Sequence, residues 1–301
     1  MGFSVATTVL AHAATLDLVS LDMAKTELEL GSRDTGKDPW LALAIKQVSG
    51  AVRTHCNRVF MPELVCDQFD IQQDAYPYQT PGGFAQLQLS RWPVIGGVSV
   101  VQTLATGASP STQLLVEGKD YRLDAQAGLL LRLNPWTGTG TNWEAIPVMV
   151  TYAGGYGALS VEGHVVPDSA PYQITIDAAG WACDIGVVYA DGTPLTRASG
   201  LPGAGQYAVS NRVYTFAAAD AGQSLALSFA TAEVPDDLAA TCLRLITARY
   251  KSRGRDPNLI QRETPGVGVE RWWFGGAPGQ KGRFTPDIEA ELADYRVETI
   301  A

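Results

Sequence analysis

Three histidines and four cysteines are all that this chain of 301 residues holds of the side chains that most often bind metals or attack substrates. Cys56, Cys66, Cys183 and Cys242 are scattered without C-x-x-C spacing, and only the adjacent His55 and Cys56 bring two such groups together in sequence. Zinc sites and disulfide frameworks need closer, repeated spacing, so reduced and buried thiols are expected and no metal is assigned. His12, His55 and His164 lie beside no G-x-S-x-G elbow, so no nucleophilic triad can be assembled from them. The Asp and Glu residues are too dispersed to pick out the paired carboxylates of a hydrolase. The chain is therefore expected not to be an enzyme, with no catalytic residue and no cofactor.

Cations are also in short supply: 22 Lys and Arg against 31 Asp and Glu leave a formal net charge of −9. Affinity for a phosphate backbone comes mainly from Lys and Arg releasing counterions, so this balance opposes general nucleic-acid binding. A long apolar run is missing as well. The stretch Met1 to Leu18 is Ala/Thr-rich, carries no basic leader and is interrupted by His12 and Asp17, so it fits neither a signal peptide nor a membrane span. A cytosolic chain is expected. What is plentiful is apolar residues at 46%, with 31 Gly and 17 Pro, a balance of strand-and-turn proteins that carry a few helices.

Helical spacing opens the chain: Leu21, Ala24 and Leu28 follow Ser20, a good N-cap, and Gly31 ends the run. Asp38-Pro39 starts a second helix, with Leu41, Ile45, Val48, Val52 and His55 on one face, ending near Asn57. After Pro62 the pattern becomes short alternating runs at 64–71, 84–89, 97–103, 113–116, 121–123, 128–133 and 148–152, separated by turn residues. Residues 159–232 read as a further β module of short strands at 172–176, 185–189, 206–209, 213–216 and 224–229, sandwich-like. Helix signals return at Pro235-Asp236-Asp237 and run to about Ser252, and a last helix starts at Thr285-Pro286 with Ile288, Leu292 and Tyr295 on one face. The expected class is α+β: a helical core with an antiparallel β segment at 1–157 and 233–301, and an inserted all-β sandwich-like module at 158–232.

Three local patterns invite a function. Gly31-Ser32-Arg33-Asp34-Thr35-Gly36-Lys37-Asp38 has P-loop spacing, but Asp38 stands where a hydroxyl should ligate Mg²⁺ and a helix precedes it, so a turn before a capped helix is the reading adopted. Arg244, Arg249, Lys251, Arg253, Arg255 and Arg262 form a basic cluster against Asp256 alone. A helix C-terminus favours cations in any case, and an acidic partner surface is the sharper reading. Arg271-Trp272-Trp273-Phe274 puts bulky aromatics beside an Arg in an expected loop, the residue types enriched at interface hot spots. Packing of these rings on their own subunit is the alternative.

The helix pair, Arg91-Trp92-Pro93-Val94-Ile95, Tyr121-Arg122-Leu123-Asp124, Gly128-Leu129-Leu130, Val150-Thr151-Tyr152-Ala153-Gly154-Gly155-Tyr156, and Val234-Pro235-Asp236-Asp237-Leu238 leading into Leu245-Ile246-Thr247-Ala248-Arg249-Tyr250 follow one another in an order that resembles tailed-phage head-tail connector (adaptor) proteins. The likeness covers roughly residues 16–157 and 233–255 and rests on serial order, since no single motif carries forced chemistry. It departs from the short family members by the insert between Tyr156 and Val234, where Tyr189-Ala190-Asp191-Gly192-Thr193-Pro194-Leu195 and Val213 to Gly222 resemble small β modules of other phage structural proteins. The resemblance implies a virion protein at the head-tail interface, assembled in the host cytoplasm. It implies a ring, dodecameric in the family, between the portal protein and a tail-side neck or tail terminator protein, with DNA only passing through the lumen and no membrane. It assigns portal contact to residues 263–301. The interface residues expected from cluster and resemblance together are Arg249, Lys251, Arg253, Arg255, Arg271, Trp272, Trp273, Phe274, Arg283, Ile288, Leu292 and Tyr295. The rival reading is another phage tail or neck protein whose β module binds a host surface or carbohydrate, with Trp181 in its favour.

Overall fold

The computed structural model describes residues 4–71, 78–79, 84–104, 111–144, 146–253, 261–264, 268–271 and 284–297. Within them the protein is a mixed α and β structure, richer in strand than in helix, with several antiparallel sheets. It divides into two compact units, a β unit of residues 1–15 and 61–233 and a helical unit of residues 16–60 and 234–301.

In the β unit, β1 (Ser4–Ala11), β2 (Glu63–Asp70), β3 (Tyr78–Gln79), β4 (Ala85–Gln88), β5 (Val94–Leu104), β6 (Ser111–Leu115), β7 (Tyr121–Asp124), β8 (Leu129–Arg132) and β9 (Val148–Gly154) make two sheets. One has the order β1-β2-β9-β5-β6 and the other β3-β4-β8-β7, all neighbours antiparallel. Strict alternation turns Val65, Phe69, Val148, Val150 and Tyr152 inward, where they share one core with Leu87, Leu130, Tyr121 and Trp143. Each such fully buried side chain contributes about 1.5–3 kcal/mol relative to exposure. Gly155, at φ +135°, closes the segment where any Cβ would strike the Met61–Pro62 backbone, at 2.7 Å.

The rest of the unit is a small sandwich. β10 (Gly157–Val165), β12 (Trp181–Tyr189) and β16 (Ser224–Ala232) form one sheet in the order β10-β16-β12. β11 (Gln173–Thr175), β13 (Thr196–Arg197), β14 (Gln206–Ser210) and β15 (Val213–Phe216) form the other in the order β11-β15-β14-β13. Ile174, Val187, Tyr207, Tyr214, Phe216, Leu225, Leu227 and Phe229 fill the space between them. A second, smaller cluster of Ala11, Ala182, Cys183 and Ala230 with Leu64 and Ile95 joins this sandwich to β1, β2 and β5. That seam explains a difference from the expected division: the strands of 61–157 group with the sandwich and not with the helices. The physical reason is small-residue packing between sheets, which leaves no sign in sequence period.

In the helical unit, α1 (Leu21–Glu27) is capped by Ser20, whose Oγ accepts from Met23 N at 3.1 Å. α2 (Asp38–Cys56) buries Leu41, Ala44, Ile45, Val48 and Val52 and ends at Asn57 in the left-handed region. Asp38 is inside the helix, with Lys37 at the cap, and instead pairs with Lys25 at 2.6 Å. α3 (Asp236–Lys251) buries Leu238, Ala239, Cys242 and Ile246, and α4 (Pro286–Leu292) with its 3-10 extension Ala293–Tyr295 buries Ile288, Leu292 and Tyr295. β17 (Gln261–Thr264) and β18 (Gly268–Arg271) form a hairpin within the stretch expected to be loop. Further strands lie outside the runs read from sequence: β1 in the Ala/Thr-rich start, β10 around His164, and the two-residue strands β3 and β13.

Candidate interaction surface

α3 begins with Asp236 and Asp237 at the positive end of its dipole and finishes with Arg249 and Lys251 at the negative end. Each placement is favourable by about 0.3–1 kcal/mol. Trp40, in the first turn of α2, meets Tyr250 of α3 edge-on, ring centroids 5.6 Å apart. Arg253, just past the helix end, lies over both rings, its guanidinium carbon 5.1 Å from the Trp40 centroid and 4.8 Å from that of Tyr250. Lys37 also approaches the Tyr250 ring, at 5.6 Å from its centroid. The neighbouring Tyr250 hydroxyl raises the lysine's pKa. Asp34, 3.7 Å from Lys37, is the acid beside it.

The result is a patch in which Lys37 and Arg253 lie over a half-exposed aromatic pair, with Arg249 and Lys251 exposed on the last turn of α3. A guanidinium over an aromatic face is held in orientation, so less side-chain freedom is lost when it meets a carboxylate. Chemically this surface suits an anionic protein face with an apolar centre.

Of the residues expected from sequence, Arg253 lies on the two rings and Arg249 and Lys251 are exposed in the last turn of α3, while Trp40 and Lys37 come to Tyr250 from the start of α2. Trp40 gave no signal beyond its position near a helix start, since only the packing of α2 on α3 places it there. Ile288, Leu292 and Tyr295 require correction: they are 4%, 1% and 9% exposed and belong to the unit's own interior, Tyr295 stacking edge-on against Phe60 and donating to Asp237 Oδ1 at 2.6 Å. An amphipathic helix buries its apolar stripe on the nearest available core, here its own. Arg244 is paired with Glu291, which also accepts from Thr241 at 2.8 Å. Arg271 ends β18, and Arg255, Trp272, Trp273, Phe274 and Arg283 lie outside the described residues. Residues 31–37 form turns leading into α2, and the helix before them leaves out the strand a P-loop needs.

The β unit holds a second concavity, an open groove of about 1080 Å³ bordered by Leu10, Ile185, Arg197, Ser199, Tyr207 and Thr215. At its base Asp184, 1% exposed, accepts from the Tyr207 hydroxyl at 2.8 Å, with Arg197 Nε 3.8 Å away. Burial raises the Asp184 pKa above its ordinary value, and the same desolvation, with the nearby carboxylate, pushes Tyr207 up. Trp181 is half-buried against the sandwich core. Burial likewise pushes the thiols of Cys56 to about 11 and of Cys183 and Cys242 to about 12, so they are held protonated at neutral pH. Among the described residues no group of three or more His, Cys, Asp or Glu is placed to hold a metal ion, and no helix is long and apolar enough to cross a membrane.

No family model matches the sequence, and no curated protein matches it. Among solved structures, a chain of the neck of an empty GTA particle, computed with C6 symmetry, superposes with a TM-score of 0.36 at 10% identity, over 98% of this chain and 97% of that one.

Proposed function

We propose that the protein is a structural component of a tailed-phage virion, a head-to-tail connector that forms a ring between the portal and the tail-side neck proteins and offers DNA a channel, and that it is not an enzyme. The serial order of motifs from the helix pair to the Pro-Asp-Asp-Leu helix brings the family to mind. The observation that supports the reading on the structural side is the pair Lys37 and Arg253 over Trp40 and Tyr250, beside the basic last turn of α3 on an otherwise acidic chain. The likeness to a particle neck agrees with this reading and carries none of its weight.

The test is mass and symmetry of the purified chain alone and mixed with its portal, by native mass spectrometry and end-on imaging. A ring on the portal is the expected result, lost on Lys251→Glu with Arg253→Glu and on truncation after Arg262. A chain that stays off the portal at every ratio would overturn the reading. The groove over Asp184 and Arg197 favours one alternative, a neck or tail protein whose β module binds a host surface or carbohydrate. Glycan-array binding by the full chain, lost on Arg197→Ala, would move the assignment there.

A further inference from the structure

β10 is an outer strand, paired with β16 on one side only. Its register is unbroken from Gly157 opposite Ala232 to Val165 opposite Ser224. Edge strands normally resist strand addition by being short, by bulging, or by carrying Lys or Pro. This strand is nine residues long and has no bulge, no Lys and no Pro. On the face turned away from the sandwich core, Leu159, Val161 and Val165 are 41%, 60% and 59% exposed. Their neighbours on that face are Ala230, Ser228, Ala226 and Ser224 of β16, followed by Gly186 and Val188 of β12, so the face carries no charge. Another long edge, β1, is guarded: its register shifts between Val9 and Ala11, and the Leu10 carbonyl already accepts from Arg197 at 3.2 Å.

The open part of β10 has a specific complement. Leu159 rests on Gly96, where an added Cβ would fall 2.8 Å from Leu159 Cδ2, so the start of the strand is covered and Val161–Val165 is what remains. Val161-Glu162-Gly163-His164-Val165 is self-complementary when reversed. With Gly163 facing Gly163 of a second copy, each Val161 stands opposite a Val165 and each Glu162 opposite a His164. Both polar side chains are on the other face of the strand from the valines, and within one chain His164 Nε2 lies 2.9 Å from Glu162 Oε2, so both are already turned toward each other's chemistry. No like charges stand directly opposite in this register, and cross-strand opposite-charge and β-branched pairs each favour it by about 0.2–1 kcal/mol.

We propose that β10 pairs antiparallel with β10 of a second copy, Gly163 on the two-fold axis, extending the three-stranded sheet β10-β16-β12 across both copies. Such a contact is isologous and closes on itself. It uses no residue of the helical unit and stands independently of the connector reading.

The experiment uses the full chain with Gly163→Cys. Nothing lies within 4 Å of a Cβ at that position, so the substitution is sterically free. Directly opposed residues of an antiparallel pair have Cα atoms about 4.5–5.5 Å apart, inside disulfide reach. Mild oxidation should convert Gly163→Cys to a covalent dimer, while Ser160→Cys, whose two copies would sit about 20 Å apart at strand rise, and the unsubstituted chain should stay single. Sedimentation of the unsubstituted chain should show a dimer that is lost on Val161→Lys, weakened by Glu162→Lys and restored by adding His164→Glu. A free chain that remains monomeric at all concentrations, or a dimer indifferent to Val161→Lys, would overturn the proposal. Portal docking by the Val161→Lys variant reports on the connector reading separately.

Discussion

Asp67 and Arg253 carry opposite charges under opposite conditions, one in each unit. Asp67 is fully buried and saturated: Thr7 Oγ1 donates to it at 2.6 Å, Ser90 N and Oγ at 2.7 Å each, and the Tyr152 hydroxyl at 2.6 Å. Burial and the carboxylate push the Tyr152 pKa up, so the phenol stays a donor. Arg253 is exposed and rests on aromatic faces, with no carboxylate against it among the described residues. A buried charge with every lone pair engaged ties strands β1, β2 and β9 together, whereas an oriented, exposed charge remains available to a partner. The β unit thus spends its polar chemistry on its own fold, and the helical unit presents it.

The contrast predicts a steep difference in tolerance. Asp67→Ala would remove the shared acceptor of Thr7, Ser90 and Tyr152, and should destabilise the β unit by about 3–5 kcal/mol, read as a lower denaturant midpoint. In the helical unit a comparable loss requires removing core and not charge. Leu292→Ala, at a position 1% exposed, should cost about 2–5 kcal/mol in the same assay.

A smaller effect belongs to Asp184, another buried carboxylate of the β unit. Asp184 has its pKa raised, mainly by burial, against 3.8 in the unfolded chain. Between 3.8 and the raised value the folded state holds the proton more tightly than the unfolded state. Stability from this group is therefore greatest below 3.8 and is lost as pH rises through the folded value. The stability of the unsubstituted chain relative to Asp184→Asn should fall with rising pH across that window, in urea melts at successive pH values. A flat difference would mean that Tyr207 and Arg197 offset the burial completely.

How much of this was legible beforehand follows from where each signal resides. Ser20, Pro39, Asn57 and the Asp236-Asp237 pair are local signals, and the helices they predict are present within a few residues. The strands of the first sheets were legible from alternation, as in β2, where Val65 and Phe69 point in while Gln68 and Asp70 point out. β1 and β10 were not, because Ala, Thr, Ser, Gly and His dilute the apolar period of these edge strands. The stripe Ile288, Leu292, Tyr295 was legible as a helix face, but a stripe does not state which core covers it. The patch was half legible: charge clustering along α3 is local, while Trp40 reaches Tyr250 only through tertiary packing.

The smallest predicted effects test whether the patch is free for a partner. Arg253→Ala removes a cation from two rings and should cost the isolated chain about 0.5–1 kcal/mol. Arg244→Ala breaks an ion pair with Glu291 in which both side chains are about half exposed, at 50% and 40%, and should cost about 0–1 kcal/mol, less still at high salt. Stability alone hardly distinguishes the two, but docking should. Among the described residues Arg253 has no ion pair, whereas Arg244 is already engaged by Glu291, so portal binding should weaken with Arg253→Ala and hold with Arg244→Ala. Equal loss in both would mean that the whole charge of α3 matters and the aromatic floor adds nothing.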